Sequence, residues 1–306
     1  MIGKNFILKK MKNLDQFLVS CTSLGLLMAG KNNEITEKQL LELERLQTKD
    51  TPLTPLQGIK IKELISKRDN TGETPLSAQA KKYLIRRYSR YKYGKRYKIR
   101  TVNEMRFSAL LKGKLTEKSA KELLSEIDEC EYYSVKTAVR NEYLNGYLDV
   151  LDAPTVAEAT RVIEIKNSFD IVDFMMVSEK ELSKSIWYQA QGYMAITDKD
   201  ICEVCFCLCD FPDFMIQEQR KIVFDAMCPD GKETKEFLTY WKFAEASMKF
   251  SDIPANERVF SRIVHRDEDA IQKIYKRVLY CRKWLQEWSE QYGKKISQRF
   301  YEEDNS

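Results

Sequence analysis

A single histidine, His265, is all the imidazole that this chain of 306 residues possesses. Chemistry that needs a histidine base or a histidine-rich metal site is thereby nearly excluded. No glycine-rich phosphate loop ending in Lys-Ser or Lys-Thr occurs, which argues against an ATP-driven motor. No stretch reaches the roughly 18 to 20 apolar residues needed to span a bilayer, so no membrane is expected as partner. The eight cysteines lack framework spacing and read as reduced thiols of a cytoplasmic protein. Lys9, Lys10 and Lys12 precede a fairly apolar run from Phe17 to Gly30, the outline of a secretory signal. Asp15 and Gln16 interrupt that approach and Ser and Thr break the run, so the signal is not the favoured reading. Enzymatic chemistry here must rest on carboxylates, lysine and oxygen-ligated metal.

What is present fits a soluble globular protein, with 43% hydrophobic and 32% charged residues. The length predicts about two domains, or one with a substantial extension. The net charge of +5 is too small to name a partner, but its distribution is uneven. Lys81, Lys82, Arg86, Arg87, Arg90, Lys92, Lys95, Arg96, Lys98 and Arg100 fall between residues 81 and 100 together with five tyrosines and no acid. Lysine and arginine neutralise phosphates while tyrosines stack on bases or sugars, so Arg86, Arg87, Arg90, Lys92, Lys95 and Arg96 are candidate DNA-binding residues. A solvated helix face with its tyrosines turned inward is the plainer alternative.

Helical spacing predicts a helix after Thr36, one opened by Thr54-Pro55 and one starting near Ser77, with a linker from Asp69 to Pro75. A further helix is expected over residues 114–127 with Thr116 as its cap. Tyr143 to Leu151 and Val162 to Ile165 have strand character, and helical spacing returns over 178–196. Ile201 to Leu208 reads as a buried strand, Asp213 to Met227 as a helix, and Asp267 to Tyr292 as a long charged helix. The order predicts a mixed α/β core (α+β in the looser sense) with a central mixed sheet flanked by helices. Residues 1–100 form a basic helical region, 101–250 the core, and 251–306 a strand and helix that complete it.

The chemistry-bearing segments are Asn145-Gly-Tyr-Leu-Asp-Val-Leu-Asp and Arg161-Val-Ile-Glu-Ile-Lys-Asn. In an extended strand Glu164 and Lys166 project to one face, while Ile163 and Ile165 point into the core. If the segments pair as a hairpin, Asp149 reaches that same face. Converging carboxylates repel, and a divalent cation that prefers hard oxygen ligands, Mg²⁺ or Mn²⁺, resolves the repulsion. An isolated Glu-x-Lys is usually a solvated pair; the apolar setting and the upstream aspartate are what distinguish this one. Downstream, Gln189 and Tyr193 share a helix face and can serve a phosphate or a metal-bound water from one side.

The order Asp149, Glu164-Ile-Lys166 and Gln189-Ala-Gln-Gly-Tyr193-Met-Ala resembles the YqaJ-like, phage lambda exonuclease-like branch of the PD-(D/E)xK nuclease superfamily. The likeness covers roughly residues 105 to 290. It implies a restriction-endonuclease-like core and Mg²⁺-dependent exonucleolytic hydrolysis of double-stranded DNA ends, as in phage recombination. It also implies a single-strand annealing protein as companion and a homo-oligomer. By this resemblance Asp149, Glu164 and the Ile165 carbonyl hold the metal, Lys166 is catalytic, and Gln189, Gln191 and Tyr193 position water or phosphate. Glu117, in Lys112-Gly-Lys-Leu-Thr-Glu, matches the family's helix carboxylate. Leu148-Asp149 replaces the family's Pro-Asp, and the Asp149 to Glu164 gap is long, which leaves Asp152 as a rival ligand and Glu142 as a rival to Glu117. The basic region before residue 100 has no counterpart in the resemblance. Alternatives are an endonuclease selective for a site or structure, and a non-catalytic DNA-binding module on the same fold.

Of the cysteines in residues 202–209, Cys205, Cys207 and Cys209 alternate along one strand and point to one face, which suits packing better than tetrahedral ligation. For Arg258, Arg262 and Arg266, DNA-backbone contact and an exposed salt-bridged surface stand as equal readings.

Overall fold

The computed structural model describes residues 14–29, 37–49, 52–69, 74–93 and 109–298. Lys9, Lys10, Lys12, Thr36, Lys95 and Arg96, and the expected boundary near residue 100, lie outside the described residues.

Two sheets organise the chain. The smaller joins β1 (Val19–Ser20) in parallel to β4 (Leu144–Gly146), with β3 (Val139–Arg140) antiparallel on the other side. The larger runs β2-β5-β6-β7-β8, formed by Tyr133–Ser134, Val150–Leu151, Val162–Asn167, Ile201–Cys207 and Val259–His265. Within it only β6 and β7 are parallel. A parallel pair needs a long crossover. Here it is built from α7 (Ile171–Glu179) and α8 (Lys184–Thr197). Asp170 caps α7 by accepting from the Asp173 amide at 2.7 Å, and Ser183 caps α8 through the Ile186 amide at 3.3 Å.

The period of two in β6 divides its side chains between two cores. Val162 faces α8 among Ala190, Tyr193 and Met194. Ile163 and Ile165 face Ala120, Leu123 and Leu124 of α6 (Glu117–Ile127). Cys205 and Cys207 of β7 pack into that second core with Cys209, whereas Cys202 and Val204 join the first. The alternating thiols therefore pack, as their spacing predicts.

Near the N-terminus α1 (Leu24–Met28) crosses α8 at close range. A Cβ on Gly25 would sit 2.5 Å from the Ser185 Cα, and one on Gly192 would sit 2.4 Å from Leu24 Cδ1. Glycine on each helix is what lets the two backbones approach. α2 (Glu37–Gln47) and α3 (Pro55–Asp69) bury Leu43, Leu46 and Leu64 in a small cluster of their own. The predicted start of α3 is a capping box: the Gln57 amide donates to Thr54 Oγ1 at 3.3 Å and the Thr54 amide to Gln57 Oε1 at 3.1 Å. α4 (Ala78–Tyr93) opens, as expected, on a Ser77 cap.

Residues 109–127 form two helices, α5 (Ala109–Leu115) and α6, where the sequence predicts one beginning at 114. Thr116 is the break. Its hydroxyl bonds back to the Lys112 carbonyl at 2.8 Å instead of capping α6. α9 (Asp213–Met227) has the predicted bounds; α10 (Lys235–Ala246) and the separate α7 are additions to the predicted order. Finally α11 (Glu268–Gln298) runs back across the N-terminal segment. Arg277 donates to the Leu27 carbonyl at 2.8 Å, and Arg282 to Phe17 at 2.9 Å and Glu142 at 2.6 Å. No helix among the described residues is long and apolar enough to cross a membrane.

Candidate active site

The β5–β6 register pairs Val150 with Ile163, which sets Asp149 opposite Glu164 just beyond the end of β5. There β6 loses its partner on one edge, and the Ile165 amide donates to Asp149 Oδ2 at 2.8 Å instead. A strand residue points its N–H and C=O toward the same edge, so the Ile165 carbonyl faces the same gap. The hairpin expected from the sequence thus brings Asp149, Glu164 and the Ile165 backbone together.

Glu164 is buried, and its Oε1 accepts two hydrogen bonds. They come from Lys166 Nζ at 2.5 Å and Gln189 Nε2 at 2.6 Å, and the Glu164 carboxylate as a whole interacts with Asp149. Gln189 is locked from both ends: its Oε1 accepts from Lys166 at 3.2 Å while its Nε2 also reaches the Tyr193 hydroxyl at 3.0 Å. That hydroxyl in turn donates to the Tyr147 carbonyl at 3.0 Å. The expected cluster of Lys166, Gln189 and Tyr193 is therefore a continuous hydrogen-bonded chain behind Glu164.

Asp149 is pushed up from 3.8 to about 8, first by burial and then by the charge of Glu164; the Ile165 amide and Lys166 oppose the rise. Glu164 Oε2 is buried without a hydrogen-bond partner. An orphaned carboxylate oxygen beside a second, reluctantly ionised carboxyl is a cation-shaped deficit: two hard oxygens want positive charge and only Lys166 supplies it. Among the described residues no three His, Cys, Asp or Glu side chains cluster for a metal. Two carboxylates and one carbonyl, completed by water and substrate oxygens, still fit the partial protein coordination that Mg²⁺ tolerates.

Other expected site residues lie elsewhere. Gln191 is fully buried, but its amide bridges the His265 carbonyl at 2.8 Å and the Asp267 amide at 2.9 Å, so it ties β8 to α11 and is not brought to the carboxylates. Asp152 spends its carboxylate on the Thr160 hydroxyl and on the Thr160 amide at 2.9 Å. Glu142 is exposed. Glu117 stands exposed in the first turn of α6, on the helix that covers the opposite face of β6 from Gln189. Arg262 holds the Val177 and Lys180 carbonyls at 2.9 and 2.6 Å, and Arg266 binds Glu268 and the Met194 carbonyl, both at 3.0 Å. A cleft of about 930 Å³ runs along β8, lined by Trp187, Arg262, His265 and Arg266 and by neither carboxylate. Arg86, Arg87, Arg90 and Lys92 lie on α4.

Two contributions were not foreseen. Cys21 and Cys202 lie in the core that backs the site, with Ala190 and Tyr193, and after burial the Glu164 charge pushes both thiols up. Lys112 is fully buried, donating to the Ser168 and Phe169 carbonyls at 2.8 and 2.9 Å with the rings of Phe211 and Phe250 at 4.3 and 5.0 Å. It pins the turn that follows Lys166.

Burial brings Lys112 down from 10.5 to about 8, against the opposing charges of Cys209, Asp170, Asp210 and Asp173. Between those values the unfolded chain keeps a proton that the folded one releases, so this residue's contribution to stability rises with pH across the window. Relative to Lys112→Met, the wild type should gain about 1–2 kcal/mol between pH 8 and 10.5, measured by urea midpoints. A flat difference would show that Lys112 titrates as an ordinary lysine.

No protein-family model and no curated protein matches the chain. A solved structure does: the crystal structure of a phage-related exonuclease from Haemophilus somnus 129PT, with a TM-score of 0.56 and 18% identity over 90% of this chain and 97% of that one. The chain has an exonuclease fold. Lower similarity links it to an alkaline exonuclease from Laribacter hongkongensis, with a TM-score of 0.49 and 14% identity over 74% of this chain and 89% of that one. The same enzyme in complex with dAMP matches at a TM-score of 0.48, 14% identity, over 72% and 87%. In this exonuclease fold the mixed sheet with flanking helices agrees with the architecture expected from the sequence.

Proposed function

We propose that the protein is a metal-dependent deoxyribonuclease that hydrolyses phosphodiester bonds at the ends of double-stranded DNA. The observation that carries this reading is the buried Glu164, set opposite Asp149 by the strand register, with one oxygen committed to Lys166 and Gln189 and the other unpartnered. Asp149, Glu164 and the Ile165 carbonyl would hold Mg²⁺, with Mn²⁺ able to substitute. When bound, such an ion offers charge for the scissile phosphate and acidifies water. Lys166 orients the attacking water and neutralises charge building on the phosphate. Gln189 fixes Lys166 against Glu164, and Tyr193 fixes Gln189. Arg86, Arg87, Arg90, Lys92, Lys95 and Arg96 are the DNA-backbone contacts of this proposal, and Glu117, exposed across β6 from Gln189, has no part in it.

The exonuclease fold supports the choice of an end-directed enzyme over a binding module. The family resemblance adds a phage recombination setting inside a bacterial host, a single-strand annealing protein as companion and further copies of the chain as partners. The test is incubation with linear duplex labelled at each end and with covalently closed circles, with and without EDTA. Mg²⁺-dependent loss of the linear form with sparing of the circle is expected. Cleaved circles would replace the reading with an endonuclease, and no Mg²⁺-dependent cleavage of either would end it.

A further inference from the structure

The aromatic residues of α11 do more than close a core. Trp284, Trp288 and Tyr292 stand at successive turns, with centroids 6.3 and 5.1 Å apart and planes within 17° and 13° of parallel. All three are only partly buried. Tyr88 of α4 meets Trp288 edge-on at 5.5 Å. Cations from α4 sit against this ladder. Lys81 Nζ lies 6.0 Å from the Trp284 ring, and Lys92 Nζ lies 5.7, 5.4 and 5.7 Å from Tyr88, Tyr93 and Tyr292. Tyr91 and Tyr93 are 36% and 45% exposed at the end of α4.

The charge is one-sided. α4 carries Lys81, Lys82, Arg86, Arg87, Arg90 and Lys92 and no acid, while α11 beyond Cys281 offers Glu287 and Glu290 against Arg282, Lys283, Lys294 and Lys295. Among the described residues Lys81, Arg87 and Lys92 lean on ring faces, the arrangement that tracks a phosphate backbone while bases stack.

The strip also leads somewhere. At its inner end Tyr83 takes a long hydrogen bond, 3.5 Å, from the Ser20 amide, and Arg87 lies 5.7 Å from the Phe17 ring. Ser20 adjoins Cys21, which packs against Gly192 of α8, the helix that carries Gln189. From Tyr83 to Tyr93 the helix rises about 15 Å. At roughly 3.4 Å per stacked base that accommodates four or five nucleotides.

We propose that the α4–α11 face is a binding strip for single-stranded DNA, with Trp284, Trp288, Tyr292 and the exposed tyrosines as stacking platforms and Lys81 and Lys92 as backbone contacts. That the strand bound is one left single-stranded by end processing rests on the proposed function; the binding itself does not.

The full-length protein in EDTA, where no metal-dependent cleavage occurs, is titrated with a dT20 oligonucleotide, an abasic oligonucleotide of equal charge, and polyphosphate. Tryptophan fluorescence and anisotropy are read, for the wild type and for Trp284→Leu and Tyr292→Leu, which keep apolar bulk and are checked for folding by circular dichroism. The expected result is quenching by dT20, about tenfold weaker binding of the abasic strand, and about tenfold weaker dT20 binding by each variant. Equal affinity for abasic strand or polyphosphate would reduce the strip to a basic face, and unchanged affinity in both folded variants, or no binding by the wild type, would overturn it outright. Absence of nuclease activity in a separate assay with Mg²⁺ would count against the hydrolase reading and leave this result standing.

Discussion

Lys166→Ala is expected to slow single-turnover cleavage of linear duplex by about 10²- to 10⁴-fold at saturating Mg²⁺ while leaving the dissociation constant for DNA within about threefold. Nζ is held 2.5 Å from Glu164 and 3.2 Å from Gln189, so the ammonium has one position and that position faces the carboxylate gap. A preorganised cation there acts on charge that develops only in the transition state, which is why the loss falls on the rate and spares binding. Lys166→Arg keeps the charge but moves its centre and spreads it over a plane, so partial recovery is expected and full recovery is not. Cleavage by the alanine variant at the wild-type rate would remove Lys166 from the chemistry.

Asp149→Asn should do two opposite things: abolish Mg²⁺-dependent cleavage and make the metal-free protein more stable. The folded carboxyl titrates near 8 and the unfolded one near 3.8. Between those values the unfolded state has released its proton and the folded state has kept it. The wild type therefore loses stability as pH rises from about 4 to 8. Four pH units bound this at roughly 6 kcal/mol, and sharing of repulsion with Glu164 leaves an expected difference of about 2–4 kcal/mol at pH 8. Asparagine escapes the loss because it can still accept from the Ile165 amide and offers Glu164 a donor. Urea midpoints of wild type and variant should coincide near pH 4 and diverge by pH 8. Added Mg²⁺ should restore the wild type and leave the variant unmoved. Midpoints that run parallel with pH would show that Asp149 ionises without strain.

Much of this site was legible because strands and helices broadcast their periods. Alternation in Val162 to Asn167 announced which side chains face the carboxylate gap, and Gln189 and Tyr193, one helical turn apart, met as expected. The same arithmetic explains Gln191. Two residues along a helix is more than half a turn, so a side chain between Gln189 and Tyr193 must leave on another face, and it ties β8 to α11. α7 escaped notice because Ile171 to Val177 is apolar apart from Asp173 and so has no clear stripe to detect. The place of Cys21 in the core behind the site had no local signal either. β1 is two residues long and pairs with β4 more than a hundred positions away. Lys112 was invisible as a buried residue because what buries it, Phe211 and Phe250, comes from a distant part of the chain.

The two arginines of α11 that grip the carbonyls of Phe17 and Leu27 join segments 265 and 250 residues apart. During synthesis the segment bearing Cys21 can meet β4 and α8 first, but its clasp by α11 waits until Arg277 and Arg282 have left the ribosome. Such a late, long-range closure slows maturation. It also means that a nascent fragment can carry the carboxylate hairpin before α11 closes over the N-terminal segment.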